Sequence, residues 1–283
     1  MRCVKSLIAA GAASLLSSTA FAADMASIMP PPPQYYAQPH YEDFGGWYLR
    51  GDIGMTNARG KLFAPAYLDA STLAVNQLGH EFTGGMSYGL GVGYQFNSWF
   101  RADITGEYRS KVQFSGTDFA SIDFGGAVGT PIGDTYRGGY KSWVGMVNLY
   151  ADLGTWWCIT PFVGVGVGGA YNQISGFSDI TTLNLGGGTT SGLYQASTAS
   201  KFDFAWAAHA GLAYKVNQNL TIELAYRYLD LGTAVTGFGA SFDGSVSAGR
   251  PFQFHDLTSH DVKLGVRWTC CDTPPPAPLM RKG

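Results

Sequence analysis

The chain has 283 residues, of which 14% are aromatic and 13% are charged, and its formal net charge at pH 7 is −2. This near-zero charge, without a stripe of basic and aromatic residues, excludes nucleic acid as an expected partner. The low share of charge and the 39 glycines are also unlike an average soluble domain.

Residues 1–22 are predicted to be an export signal. A positively charged start precedes an apolar segment at 7–16, and a small-x-small cleavage site ends at Ala22. The mature chain then starts Ala23-Asp24 and continues as a Pro-rich spacer over 23–45. No later apolar run reaches the ~18 residues that a spanning helix needs, so a membrane span would have to be made of strands.

Residues 46–268 alternate polar and apolar side chains in segments long enough to cross a ~25 Å apolar layer as strands. The eight predicted strands are 47–55, 86–96, 100–108, 140–153, 161–171, 202–216, 220–228 and 257–268. Short turns join them in pairs, and four long segments, 56–85, 109–139, 172–201 and 229–256, are expected as exposed loops on the other side. This rhythm predicts an all-β, eight-stranded antiparallel up-and-down barrel, followed by a Cys/Pro-rich tail at 269–283.

One face of each predicted strand is apolar and aromatic, and the other face carries nearly all the charge. Seven cations and seven anions share that charged face: Arg50, Arg101, Arg109, Lys215, Arg227, Lys263 and Arg267, with Asp52, Asp103, Glu107, Asp152, Asp203, Glu223 and Asp261. An eight-stranded barrel is only wide enough for its own side chains, so charges inside it must pair. The alternative is a soluble lipocalin-type barrel with its apolar face inside, but that face holds too many large aromatics for so narrow an interior.

Three motifs bear on catalysis or cofactor binding. Residues 164–169 match G-x-G-x-x-G, but no helix follows as a dinucleotide site requires, so these glycines are expected to make room in the lumen. His255 and His260 have opposite parity on one strand and Ser259 stands alone, so no catalytic site is predicted. No metal or cofactor is expected either.

Three cysteines remain after signal removal: Cys158 in the long second periplasmic turn, and Cys270 and Cys271 just beyond the last strand. All three are expected on the periplasmic side, where disulfides persist. A bond from Cys158 to Cys270 or Cys271 would cross the barrel mouth. A Cys270–Cys271 bond and free thiols are the alternatives.

Four stretches resemble a known family: 46–51 (GWYLRG), 91–96 (GVGYQF), 160–164 (TPFVG) and 260–268 (HDVKLGVRW). They are similar to the small porin-like outer-membrane barrels of alphaproteobacteria, the 25/31-kDa outer-membrane protein type. The resemblance implies an outer-membrane protein of a Gram-negative bacterium, with periplasmic termini, extracellular loops and lipopolysaccharide around it. It implies a structural role in envelope integrity or, alternatively, surface binding as an adhesin or haem-binding protein.

Two further expectations depend on this resemblance. The barrel-assembly machinery would read its signal, Val262, Leu264, Val266 and Trp268, from an internal position, because residues 269–283 follow it. The Ala23-Asp24 start resembles family members whose mature N-terminal amine is joined to peptidoglycan. The alternatives are a merely disordered leader and a weak non-covalent contact through the basic tail, Arg281-Lys282.

Overall fold

The structure is a computed structural model that describes residues 46–63, 72–124, 127–184, 188–242 and 251–270. The predicted signal peptide, the Pro-rich spacer, and all of the tail after Cys270 lie outside the described residues. None of the described residues forms a helix long and apolar enough to cross a membrane.

Within the described ranges, twelve strands make up one sheet. In chain order they are β1 (Gly46–Phe63), β2 (Thr72–Phe82), β3 (Gly85–Gln95), β4 (Phe100–Phe124), β5 (Ala127–Asp152), β6 (Ile159–Asn184), β7 (Thr189–Ala196), β8 (Ala199–Lys215), β9 (Leu220–Asp230), β10 (Ala234–Val235), β11 (Gly239–Ser241) and β12 (Gln253–Thr269).

Eight of these strands close into a ring in the order β1-β3-β4-β5-β6-β8-β9-β12, and every neighbouring pair is antiparallel. The ring closes because β1 pairs with β3 on one side and with β12 on the other. The predicted eight-stranded antiparallel barrel is therefore confirmed. Five predicted segments lie inside these strands, and the other three, 86–96, 140–153 and 202–216, end one residue beyond β3, β5 and β8.

The outer wall of the ring is apolar. It exposes one or more large apolar side chains on every strand, among them Leu49, Leu90, Ile104, Val147, Val165, Leu212, Leu224 and Leu264. Cross-strand pairing joins five aromatics into a continuous row, defined here as the aromatic row: Tyr88, Tyr108, Trp143, Tyr171 and Phe202. An apolar band bordered by aromatics is what a lipid-facing surface requires.

At one end of the barrel, here called the short-turn end, two turns repeat the same local chemistry. Val216 N donates to Leu220 O at 2.9 Å, and Asn217 Oδ1 accepts from the backbone N of both Asn219 and Leu220. The Asn97 turn is built in the same way. These turns lie at 97–99 and 217–219, where the predicted strands leave three-residue connections.

The opposite end, here called the extended end, differs from the expected exposed loops. There β4 and β5 stay paired as far as Phe124 and Ala127, and β2, β7, β10 and β11 add to the same sheet. At ~3.3 Å per residue, the 16 residues between Tyr108 and Phe124 extend on the order of 50 Å along the strand. Much of the predicted loop sequence is thus a folded extension of the barrel.

Three β-bulges separate this extension from the membrane part. Two residues oppose one at Ser110–Lys111 opposite Lys141, at residues 176–177 opposite Gly138, and at residues 256–257 opposite Gly60. After each bulge, the inward-facing residues of the bulged strand change from odd to even numbers or from even to odd.

Candidate functional site

Among the described residues, many of the charged side chains lie inside the barrel. They are arranged in layers, and lumen-facing glycines leave room for the large side chains. Gly93, Gly91 and Gly89 of β3 lie directly opposite Tyr48, Arg50 and Asp52 of β1, and a Cβ at Gly93 would overlap the Tyr48 ring.

The middle layer comprises Arg109, Arg227, Lys263, Asp52, Glu107 and Asp261. Asp261 accepts two contacts from Arg109, at 2.8 and 3.1 Å, and one from Arg227 Nη2 at 2.6 Å. Glu107 accepts from Arg227 and Lys263, both at 2.6 Å. Each carboxylate therefore meets at least two cations, which is the geometry that offsets the desolvation of buried charge.

The short-turn layer comprises Arg50, Arg101, Arg267, Asp103, Asp152 and Glu223. Glu223 lies among all three arginines, 3.5 Å from Arg50, 3.3 Å from Arg101 and 3.5 Å from Arg267. Arg50 also donates to Asp103 at 2.8 Å. The guanidinium of Arg101 stacks 4.3 Å from the centroid of the Tyr150 ring.

The two layers form one network of six cations and six carboxylates, joined by Arg50 and Asp52 at 3.6 Å. All twelve side chains are at most 9% exposed. A filled and neutral lumen of this kind leaves no wide aqueous path through the barrel.

Two of the fourteen residues expected in lumen ion pairs lie elsewhere. Lys215 is the last residue of β8 and is exposed at the short-turn end. Asp203, near the other end of β8, pairs with Lys201 at 3.0 Å, with side chains 29% and 39% exposed. Both have the inward parity of the strand, but they sit beyond the two layers. The middle of β8 instead supplies small residues such as Ala205, Ala207 and Ala213.

Beyond the middle layer, toward the extended end, most of the buried side chains are apolar. Residues from all sides pack there in one buried cluster, here called the apolar cap: Val112, Phe114, Tyr136, Tyr140, Val144, Met146, Ala170, Ile174, Phe177, Ala205, Ala207, Leu229, Leu231, Ala234, Phe252, Phe254 and Leu257. The Phe114 and Phe254 rings meet at 4.8 Å and the Phe177 and Phe252 rings at 4.8 Å. The cap covers the ionic layers on the side of the extension.

The extension also buries a carboxyl group. Asp134 of β5 lies nine residues beyond Trp143, outside the apolar band, and pairs across the sheet with Asp118. Burial, together with the charge of Asp118, raises the pKa of Asp134 above the ordinary value of 3.8, although Thr181 donates a hydrogen bond to it.

The residues considered for catalysis are not brought together. Ser259 is buried, and its Oγ donates to Asp261 at 2.6 Å while accepting from Arg109. His260 lies on the opposite face of β12, where its Nδ1 is 2.5 Å from the Tyr226 hydroxyl. No group of three potential metal-binding side chains occurs within the described ranges.

The two described cysteines are in different states. Cys158 is disulfide-bonded and Cys270 is a free thiol. A Cys158–Cys270 bond is therefore wrong, and the partner of Cys158 lies outside the described residues. The backbone N of Cys270 instead donates to Trp47 O at 2.8 Å, which continues the β1–β12 pairing.

The residues of the predicted cleavage and attachment site, Ala22, Ala23 and Asp24, lie outside the described residues. The predicted assembly signal, Val262, Leu264, Val266 and Trp268, is on the outer face of β12, about half exposed. The lumen also holds partners that the sequence analysis missed, such as Tyr48 and Asn148, which both contact Asp103; their inward parity was the available signal.

Comparison with known proteins gives a consistent family. The outer membrane protein beta-barrel domain family matches residues 8–269. An uncharacterized protein of Brucella abortus is 31% identical over 255 residues, which cover 79% of this chain and 84% of that protein. Outer membrane protein PagN of Salmonella typhimurium is 30% identical over 188 residues, 64% of this chain and 71% of its own. Among solved structures, Neisserial surface protein A is similar with a TM-score of 0.42 and 14% identity, over 80% of this chain and 97% of that chain.

Proposed function

The chain belongs to the outer membrane protein beta-barrel domain family, and we propose that it is a closed structural barrel that maintains the integrity of the outer membrane without conducting solutes. The observation that carries this proposal is the filled lumen, in which a charge-balanced network lies beneath the apolar cap. The cations and carboxylates of the two layers are paired with one another, so their charges are balanced inside the barrel rather than available to a permeating ion.

In this proposal the short-turn end and both termini are periplasmic, and the extension is extracellular. The outer leaflet and its lipopolysaccharide then surround the aromatic row, and the barrel-assembly machinery inserts the chain through β12. Short periplasmic turns with longer extracellular connections are the usual arrangement of bacterial outer-membrane barrels.

A complementation experiment tests the structural role. A deletion strain would receive either the full chain or a variant in which residues 115–137 are replaced by a two-residue turn. Ser115 and Arg137 are a cross-strand pair, so the cut shortens the β4–β5 hairpin and leaves the membrane part intact. Equal rescue of detergent sensitivity supports the structural role, and rescue by the full chain alone contradicts it.

The structural role includes a tether to the cell wall. The spacer 23–45 would span on the order of 60 to 70 Å if extended, enough to leave the membrane. Sacculi boiled in detergent and digested with lysozyme and trypsin should yield a peptide that begins at Ala23 and carries a muropeptide mass. If only the free peptide appears, the tether is wrong and the leader is unattached.

The second candidate is surface binding through the extension, as an adhesin or a haem-binding protein. The observation in its favour is exposed aromatic surface at the extended end, where Phe238 is 73% and Phe242 is 88% exposed. Replacing both with serine should abolish adhesion to host cells or haem binding while the barrel still folds. Unchanged binding by that variant would exclude this patch as the binding surface.

A further inference from the structure

Two lysines lie side by side on the outer wall where β4 and β5 leave the membrane band. The bulge at Ser110–Lys111 places both residues opposite Lys141. Lys111 is exposed, and its side chain extends across Gly139, where a Cβ would collide with its Cε. The bulge and this glycine together direct Lys111 along the wall toward the extension.

Neither lysine has an ion pair with any described residue. The exposed carboxylate on a neighbouring strand, Glu81, pairs in register with Ser115, four residues further along β4 than Lys111. The side chains that flank the lysines on the same face, Gln113 and Gln173, are neutral. Like charges on adjacent strands destabilise a sheet. An anion from outside the chain would relieve the repulsion between these two lysines.

The position of the pair indicates which anion it would meet. Lys141 is two residues beyond Trp143, which belongs to the aromatic row and contacts Tyr108 at a ring-centroid distance of 4.7 Å. Aromatic rings of this kind lie at the level of the lipid head groups. At ~3.3 Å per residue, Lys141 lies about 7 Å beyond Trp143 along β5, and Gly139, next to the Lys111 ammonium group, lies about 13 Å beyond it, both on the lipid-facing side.

We propose that Lys111 and Lys141 form a binding site for the phosphorylated head group of an outer-leaflet glycolipid. A phosphate between the two ammonium groups would remove their repulsion, and the acyl chains would lie against the apolar wall beneath Trp143. The inference rests on the proposed orientation, with the extension outside the cell, and it holds whether or not the lumen conducts.

The test uses the full-length protein reconstituted in phosphatidylcholine vesicles that contain either bisphosphorylated lipid A or the same lipid without phosphates. Lipid that remains bound after detergent extraction is counted by native mass spectrometry. The wild type should retain the phosphorylated lipid selectively. K111Q and K141Q should each lower that retention about fivefold, and the double variant about 25-fold, since a basic residue near a charged membrane surface contributes about that factor.

K61Q is the control, because Lys61 is another exposed lysine of the outer wall and it already pairs with Asp256 at 3.0 Å. It should retain lipid within twofold of the wild type, and the Lys111→Arg/Lys141→Arg double variant should retain it as well. Heat-dependent gel mobility verifies that every variant is folded. Equal retention of both lipids by the wild type, an equal loss in K61Q, or displacement of the lipid by millimolar inorganic phosphate would overturn the proposal.

Discussion

Removing the charge of Glu223 is the most direct way to perturb the ion-pair network inside the barrel. Its carboxylate is 2% exposed and lies 3.3 to 3.5 Å from Arg50, Arg101 and Arg267. Glu223→Gln keeps the shape of the side chain and removes its charge. Three arginines would then share two carboxylates, Asp103 and Asp152, and the lumen would carry one uncompensated positive charge.

The expected cost is on the order of 3–5 kcal/mol in the free energy of unfolding, the usual effect of removing one partner from a buried ion pair. The surface pair between Lys61 and Asp256 has side chains 71% and 65% exposed. Lys61→Gln should therefore cost at most about 1 kcal/mol. The difference between the two variants measures what burial adds to the pairing.

Reversible urea unfolding in lipid vesicles, followed by tryptophan fluorescence, measures both variants. Arg267→Gln combined with Glu223→Gln restores five cations against five carboxylates, so the double variant should be more stable than Glu223→Gln alone. The reasoning is refuted if Glu223→Gln costs less than about 1 kcal/mol, or if the double variant loses the sum of the two single effects.

Three further predictions concern other parts of the molecule. Gly93→Val should cost about 1–3 kcal/mol because its side chain would overlap Tyr48, whereas Gly106→Val, where a Cβ meets nothing within 4 Å, should be tolerated; urea unfolding compares them. Alkylation of the non-reduced protein should label Cys270, and Cys158 only after reduction; a Cys158–Cys270 peptide would contradict this. Because the pKa of Asp134 is raised in the folded state, ionisation of its carboxyl group lowers the stability of the extension as the pH rises above 3.8. Asp134→Asn should therefore stabilise the extension at pH 7 and lose that advantage below pH 3.8. An equal effect on stability at both pH values would contradict the raised pKa.

The membrane part could be predicted from the sequence because lipid outside and charge inside impose strict alternation. Arg50 and Asp52 on β1, and Glu107 and Arg109 on β4, follow that alternation directly. Lys215 shows what alternation cannot predict. The parity of a residue assigns it to one face of the strand, but it does not say whether the residue lies within the two ionic layers or beyond them. The depth of a residue depends on the register of the neighbouring strands.

The extension could not be predicted in the same way, for two physical reasons. Outside the membrane the exterior faces water, so the interior becomes apolar, and β4 changes from Arg109 inside to Val112 and Phe114 inside. The bulge at Ser110–Lys111 also shifts the parity at the same point, so the apolar residues appear out of phase with the strand below. Without the cross-strand register, such a segment has the composition of a loop.

Planar-bilayer recording of the purified, refolded full-length protein tests the closed barrel most directly. The filled ionic layers and the apolar cap predict a bilayer current that stays at its baseline, with no stable steps, even when heat-dependent gel mobility shows that the protein is folded. Large, stable, porin-like steps from the same preparation would show that the interior is open and would contradict the account.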